Sequence, residues 1–580
     1  MDISVEELLL LENLTYIDEK FRKAIGKDLN LASYDSLGKL LDQFTPEVMD
    51  KLMQCGDQAV DGGLTSGYEW AAMIQSMKNN PNLCALKIDR ESTAMHGGDA
   101  GKTKAICFVK PDGKAIVAFR GTLDENEWAD NVYGMSAVDT RAQREALYYI
   151  ESLKYDDITV IGHSKGGNKA QYVGILSDKV TAAISFDGQG FSKEFLETYS
   201  EEIRRNSGKV SCYSLSTDFV HGLLYALPGA QQYFVKPGRD VSSVGENHSP
   251  SAFFEFTVPN FFDELLGKFG VPLGVTLKEE NGKPFFPYVS EEDPSMTMLH
   301  QFTTFVLNNA SAEQKEELSQ YLGGMLALFL KSVPEDQKDA HMKVCLEYIN
   351  SNPEPLGTTI AYLLKYMEVN QVDGSKVAGM VDALFGNFFS GLLNTPLGAY
   401  LLNKLLDYMH GNLTDGKKNV LGQQVLQKLL DLLHIDINAA SLWDSIESAY
   451  GQIGDIDPKN ACAEGTIRSS HTMDYSRRNL DVMITAANLF RQSPVPDVSQ
   501  WTDYASEPWY HELPVSRVIR SVGQFGEELE QRNLTYKRKF ERVFSDIGAA
   551  DAAGAKAVSA ACSEMQLTGR QLSVLANLIG

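Results

Sequence analysis

No stretch of this 580-residue chain holds 18 consecutive apolar residues, and a helix needs about that many to cross a bilayer. The nearest approach, residues 377–406, is interrupted by Asp382, Asn387, Asn394 and Pro396. It reads as a helical hairpin buried in a helical domain, with an apolar lid over a site as the alternative. Basic residues are scarce. Lys and Arg number 53 against 77 Asp and Glu, a net charge of −24. Phosphate binding needs a positive field, so nucleic acid and anionic membrane are excluded as main partners. Cysteine is sparse and unpaired in pattern. The seven thiols (Cys55, Cys84, Cys107, Cys212, Cys345, Cys462, Cys562) include no Cys-x-x-Cys. That argues for a reducing compartment and against a disulfide framework or structural zinc. The opening residues, Met1-Asp2-Ile3-Ser4-Val5-Glu6-Glu7, lack a basic stretch and a cleavage site. The expected location is the cytoplasm, with signal-less export compatible.

Beyond residue 300 the strand signal is also missing. Helices are expected at 298–308, 312–333, 337–350, 357–368, 376–409 and 420–433, and then at 475–490. A joint rich in Pro and Trp precedes a long helix over 515–544, whose apolar positions keep a 3–4 spacing. That helix either packs on its own domain or is offered to a protein partner. His300, His341, His410, His434, His471 and His511 form no cluster with Cys or carboxylates. No metal and no cofactor are therefore expected. The expected division is a domain over 1–300 with N-terminal helices, an all-helical domain over 301–455, and a helical C-terminal region over 456–580.

The first 300 residues are different. Helices are expected at 5–16, 36–43, 47–53 and 68–77. Strands dominate from 83 to 119, and strand then alternates with helix to about 255, the rhythm of a mostly parallel sheet. Within this stretch the β-branched run 158–161 feeds Gly162-His163-Ser164-Lys165-Gly166-Gly167, and a helical pattern follows over 168–176. Strand, Gly-x-Ser-x-Gly and helix in that order make a nucleophile elbow, with Ser164 as the nucleophile. A serine hydroxyl needs a base, an acid and an oxyanion site. Between the elbow and residue 299 only His163, His221 and His248 are available. His163 adjoins the nucleophile, and its side chain is expected to point away from the reacting face. His221 lies too close to Asp218 in sequence to come from a separate loop. His248, in a loop rich in Gly, Asn, Ser and Pro, is the expected base. Asp187 and Asp218 both end strand-like runs. Asp218 is favoured as the acid because it follows the later strand. One oxyanion donor is the N–H of Lys165, and a second should follow an earlier strand. Residues 115–119 form that strand, paired with 105–109 through Pro111-Asp112-Gly113, and it ends in Arg120-Gly121-Thr122.

These residues carry a resemblance. Phe119-Arg120-Gly121-Thr122, with Asn126, Trp128 and Asp130 downstream, resembles the oxyanion segment of class 3 (fungal-type) lipases. Gly162 to Gly167 resembles their elbow, Asp218-Phe219-Val220 their Asp-Pro-Val, and His248 before Phe253-Phe254 their histidine before an aromatic pair. The chain departs from them at Lys165, where they carry leucine, and at Phe219. A bacterial lipase-like branch, the Mbeg-like family, is similar in its Glu-Leu-Leu-Leu-Leu start (residues 7–11) and its Gly-His-Ser-Lys-Gly-Gly-Asn elbow. The resemblance covers roughly residues 1–330. It implies an α/β-hydrolase domain, Thr122 as the second oxyanion contributor, and hydrolysis of an acyl ester, small or lipid. Two further readings stand beside it. One is a scaffold that presents the helical half to a protein partner, since a fold does not guarantee activity. The other is an exported effector.

Overall fold

The computed structural model describes residues 3–94, 104–122, 134–135, 137–239, 247–257, 275–280, 282–329, 338–385, 396–409, 416–433 and 435–456. The helices expected at 475–490 and 515–544 lie outside the described residues. So do Asn126, Trp128, Asp130, His410, His434, His471 and His511. The chain divides into two compact units. The first comprises Met1–Glu202, Lys209–Leu227 and Tyr233–Ile467; the second comprises Ile203–Gly208, Pro228–Gln232 and Arg468–Gly580.

The first unit is a mixed α/β body. Its sheet holds β1 (Lys87–Ile88), β2 (Ala105–Val109), β3 (Ala115–Phe119), β4 (Ile158–His163), β5 (Val180–Phe186), β6 (Val210–Leu215), β7 (Gln231–Val235, of which Tyr233–Val235 belong to this unit) and a short edge strand, Tyr288–Val289, in that spatial order. β3, β4, β5 and β6 run parallel, and β1, β2 and β3 antiparallel. The β2–β3 turn places Gly113 at φ +87°, a conformation suited to glycine. β3 and β4 read as near-continuous apolar runs because helices cover both faces of a parallel sheet. Every β3 residue is buried.

Short capping patterns start several helices. Ser4 with Glu7, Ser66 with Glu69 and Thr140 with Gln143 each form a reciprocal capping box, which satisfies two N–H groups that the helix leaves over. The first helix, Val5–Asn13, carries a run of four leucines and is buried nearly all round, and Leu9, Leu10 and Leu11 are fully buried. A helix of that kind must sit inside the protein. It belongs to one core with Ile106, Ile116, Ile161 and Phe186 of the sheet. Burial therefore extends to its polar residues Glu7, Glu12 and Asn13.

Among the described residues, eight further helices lie within 294–453. Within the 377–406 stretch, helices Gly374–Phe385 and Pro396–Met409 are separate. Val377, Ala378, Leu401 and Leu405 are buried with Leu442, Trp443 and Ile446 in a second core. Phe219 and Val220, just past β6, join that same core. No helix among the described residues is long and apolar enough to cross a membrane.

The strand-to-helix turn at residue 164 is tightly packed. A Cβ on Gly162 would overlap the Gly166 backbone, and one on Gly166 would overlap the Phe119 carbonyl. Gly166→Ala is expected to lower stability by about 1–3 kcal/mol, the usual cost of overpacking a rigid site. Urea unfolding followed by tryptophan fluorescence measures it, and an unchanged midpoint would contradict this packing.

Candidate active site

β4 ends at His163, and the helix Lys165–Leu176 starts at once. Ser164 alone makes the turn, with φ +57° and ψ −125°. Such backbone costs about 1–3 kcal/mol in a non-glycine residue and persists only where its surroundings dictate it. Here they do. Ser164 N–H donates to the Phe186 carbonyl at 2.9 Å, and its own carbonyl accepts from Asn168 N–H at 3.1 Å. Ser164 is mostly buried, at 7% exposure. Lys165 opens the helix and is buried. Its N–H belongs to the positive end of the helix dipole.

The segment after β3 passes directly beside the nucleophile. A Cβ on Gly121 would sit 3.2 Å from the Ser164 Cβ. Thr122 follows and is half-buried. Beneath this segment the Lys169 ammonium donates to the Arg120 carbonyl at 3.2 Å.

His248 meets Asp218, not Asp187. His248 Nδ1 lies 2.7 Å from Asp218 Oδ2. Asp218 is fully buried. Its Oδ1 accepts from the N–H groups of Val220 (2.8 Å) and His221 (3.3 Å). Burial opposes its charge, yet His248 and His221 outweigh that and hold its carboxyl below the usual range. Asp187 sits at the end of β5 with φ +45° and accepts the Leu215 N–H at 2.8 Å. Burial, and then the charge of Asp218, push its carboxyl well above the usual range. Two neighbouring buried carboxyls disfavour charge on both, and here the shift falls on Asp187. His248 Nε2 is buried without a hydrogen-bond partner, so no hydrogen bond joins it to Ser164.

One arrangement departs from the sequence reading, and a second adds to it. His163 does not turn away from the site. Its ring packs on that of His248 with centroids 4.7 Å apart, because the Tyr16 hydroxyl fixes its Nδ1 at 2.8 Å. Burial, and then His248, hold His163 far below its ordinary basicity, so it stays neutral. Tyr16 itself gave no local signal, being 147 residues away. His221, close to Asp218 in sequence, nonetheless contacts it. Its Nδ1 is 3.8 Å from Asp218 Oδ1 and its Nε2 3.1 Å from Glu292 Oε2. Burial opposes the charge on His221, but the two carboxylates raise it to about 9.

Among the described residues, two trios bring possible metal-ligating atoms within 4.8 Å: His163, Asp187 and His248, and Asp187, Asp218 and His221.

The fold and site define a mixed α/β protein with a mostly parallel central sheet, a strained serine at a strand–helix turn and a buried Asp–His pair. A family model described as Mbeg1-like matches residues 77–232, a span that holds Thr122, Ser164 and Asp218 but ends before His248. No curated protein and no solved structure matches the chain.

Tyr16→Phe is expected to leave His163 Nδ1 buried and unsatisfied, at a cost of about 1–3 kcal/mol; chemical denaturation reads it. His221 gives a pH dependence of definite sign. Its folded-state value, about 9, exceeds the ordinary value of about 6.5. Its stabilisation is then complete below pH ~6.5 and is lost as pH rises through about 9. His221→Asn should flatten that part of the stability profile relative to wild type, and parallel profiles from pH 6.5 to 9.5 would contradict the charge.

Proposed function

We propose that this chain is a serine hydrolase of the α/β-hydrolase type, related to class 3 lipases, and that it cleaves carboxylic esters. The observation that carries the reading is the 2.7 Å bond between Asp218 and His248, in a protein whose Ser164 stands at φ +57° between strand and helix. Ser164 Oγ attacks the acyl carbonyl while His248 Nε2 takes its proton. Asp218 holds the Nδ1–H side of the ring and offsets the imidazolium charge. The N–H groups of Lys165 and Thr122 receive the oxyanion, each worth about 10²–10³ in turnover. The tetrahedral intermediate collapses, and His248 returns the proton to the departing alcohol. Water, deprotonated by His248, then releases the acid from the acyl-enzyme.

The same reading assigns the hydrolase domain to residues 1–300, a helical domain to 301–455 and a C-terminal region to 456–580, the last two open to a protein partner. The substrate is an acyl ester, small or lipid, and the location the cytoplasm. The full-length protein should label with a fluorophosphonate and hydrolyse nitrophenyl esters somewhere in the series from acetyl to palmitoyl. Ser164→Ala should abolish labelling and lower turnover at least about 10⁴-fold with an unchanged circular dichroism spectrum. Labelling that survives in the alanine variant rejects the assignment.

A further inference from the structure

We infer that His221 and Glu292 form a charged positioning relay that holds Asp218, and through it the His248 imidazole, and that ties the triad to the start of the helical segment. The inference rests on the ester-hydrolase reading above and adds two residues to it.

The contacts run in one line. His248 Nδ1 meets Asp218 Oδ2 at 2.7 Å. Asp218 Oδ1 lies 3.8 Å from His221 Nδ1. His221 Nε2 reaches Glu292 Oε2 at 3.1 Å, and Glu292 Oε1 accepts the Thr297 hydroxyl at 2.8 Å. The Asp218 and Glu292 side chains are fully buried, and His221 is 5% exposed. Two carboxylates inside a protein demand a counter-charge, or one of them takes up a proton. His221 lies between them and supplies it. Without that charge, Asp218 would face Glu292 with only His248 to compensate, and its hold on the imidazole would weaken.

The backbone ties the same elements together. Asp293 N–H donates to the Ser216 carbonyl at 2.8 Å, and Asp293 caps the helix Pro294–Asn309. From that helix, the Thr303 hydroxyl donates to the Gly222 carbonyl, and His300 Nδ1 lies at the same oxygen, each at 3.2 Å. The loop 216–222, which carries the acid, is therefore fastened at both ends to the helix that Glu292 precedes. The His221 ring rests on Phe234 at 5.6 Å. The titratable groups around the relay are Asp187, His163, His248 and His300.

Glu292→Gln keeps the shape and removes the charge. Two measurements on the full-length protein test the relay. In protein labelled with [15N]histidine, His221 is assigned by its loss in His221→Asn and titrated by NMR. In wild type it should stay protonated to about pH 9. In Glu292→Gln its midpoint should fall by at least about one unit, the usual minimum for losing an adjacent opposite charge. The rate of fluorophosphonate labelling should fall roughly 10- to 100-fold, as when a group that orients a reactive side chain is lost. Its alkaline limit should move to lower pH together with the NMR midpoint. KM for a nitrophenyl ester should stay within about twofold, since neither residue touches substrate. Glu292→Asp, which keeps the charge, should restore most of the rate.

An unchanged His221 midpoint in Glu292→Gln overturns the relay. So does a labelling profile that ignores the variant. A wild-type protein that does not label at all rejects the hydrolase reading instead, and the NMR midpoint then decides the charge pair alone.

Discussion

Everything around Ser164 depends on backbones that cross too closely for side chains. The end of β3, the end of β4 and the first turn of the following helix meet at Gly121, Gly162 and Gly166, where a Cβ would strike a neighbouring residue. Within that crossing the one non-glycine residue making the turn must take a positive φ, and that residue is the serine. The strain is sustained because β4, β5 and the helix behind them are almost wholly buried. Relaxing the turn would cost far more in lost packing than it recovers in backbone energy.

The electrostatics follow a second economy. Four titratable groups lie close together behind the serine, and their surroundings drive like groups apart. The Asp187 carboxyl is pushed up while the Asp218 carboxyl is held down. His163 is kept neutral while His221 is kept charged. Burial alone would neutralise all four. The difference comes from partners: Asp218 has two histidines, and His221 has two carboxylates, whereas His163 has a tyrosine hydroxyl. Environments that separate the behaviour of paired groups are how one site obtains distinct chemical roles.

Much of this was legible in the chain because it is local. Gly-His-Ser-Lys-Gly-Gly announces its turn within six residues, and the apolar runs at 105–109, 115–119 and 180–186 match β2, β3 and β5. Asp218 and His248 could be proposed because strand ends and loop composition order them along the chain. Tyr16 and Glu292 could not. Each meets its histidine across 147 or 71 residues, and nothing in their neighbours announces it. Glu292 sits in Glu291-Glu292-Asp293-Pro294, which reads only as the start of a helix. The direction of the His163 side chain is hidden for the same reason, since it is set by Tyr16 in the short 3-10 turn that follows the first helix. The helix expected at 376–409 is two helices, and Pro396 opens the second, as proline's fixed φ and missing N–H would favour.

Phe219 and Val220 adjoin the acid in sequence, yet their side chains belong to the core formed by the helices of residues 294–453. The acid loop thus has no independent foldon of its own. A fluctuation that opens that helical core disturbs the packing of the two residues that follow Asp218. Amide protons of that loop should then exchange with solvent at the rate of the helical segment rather than that of the central strands. The helical segment would then set the lifetime of the assembled site, without contributing an atom to the reaction.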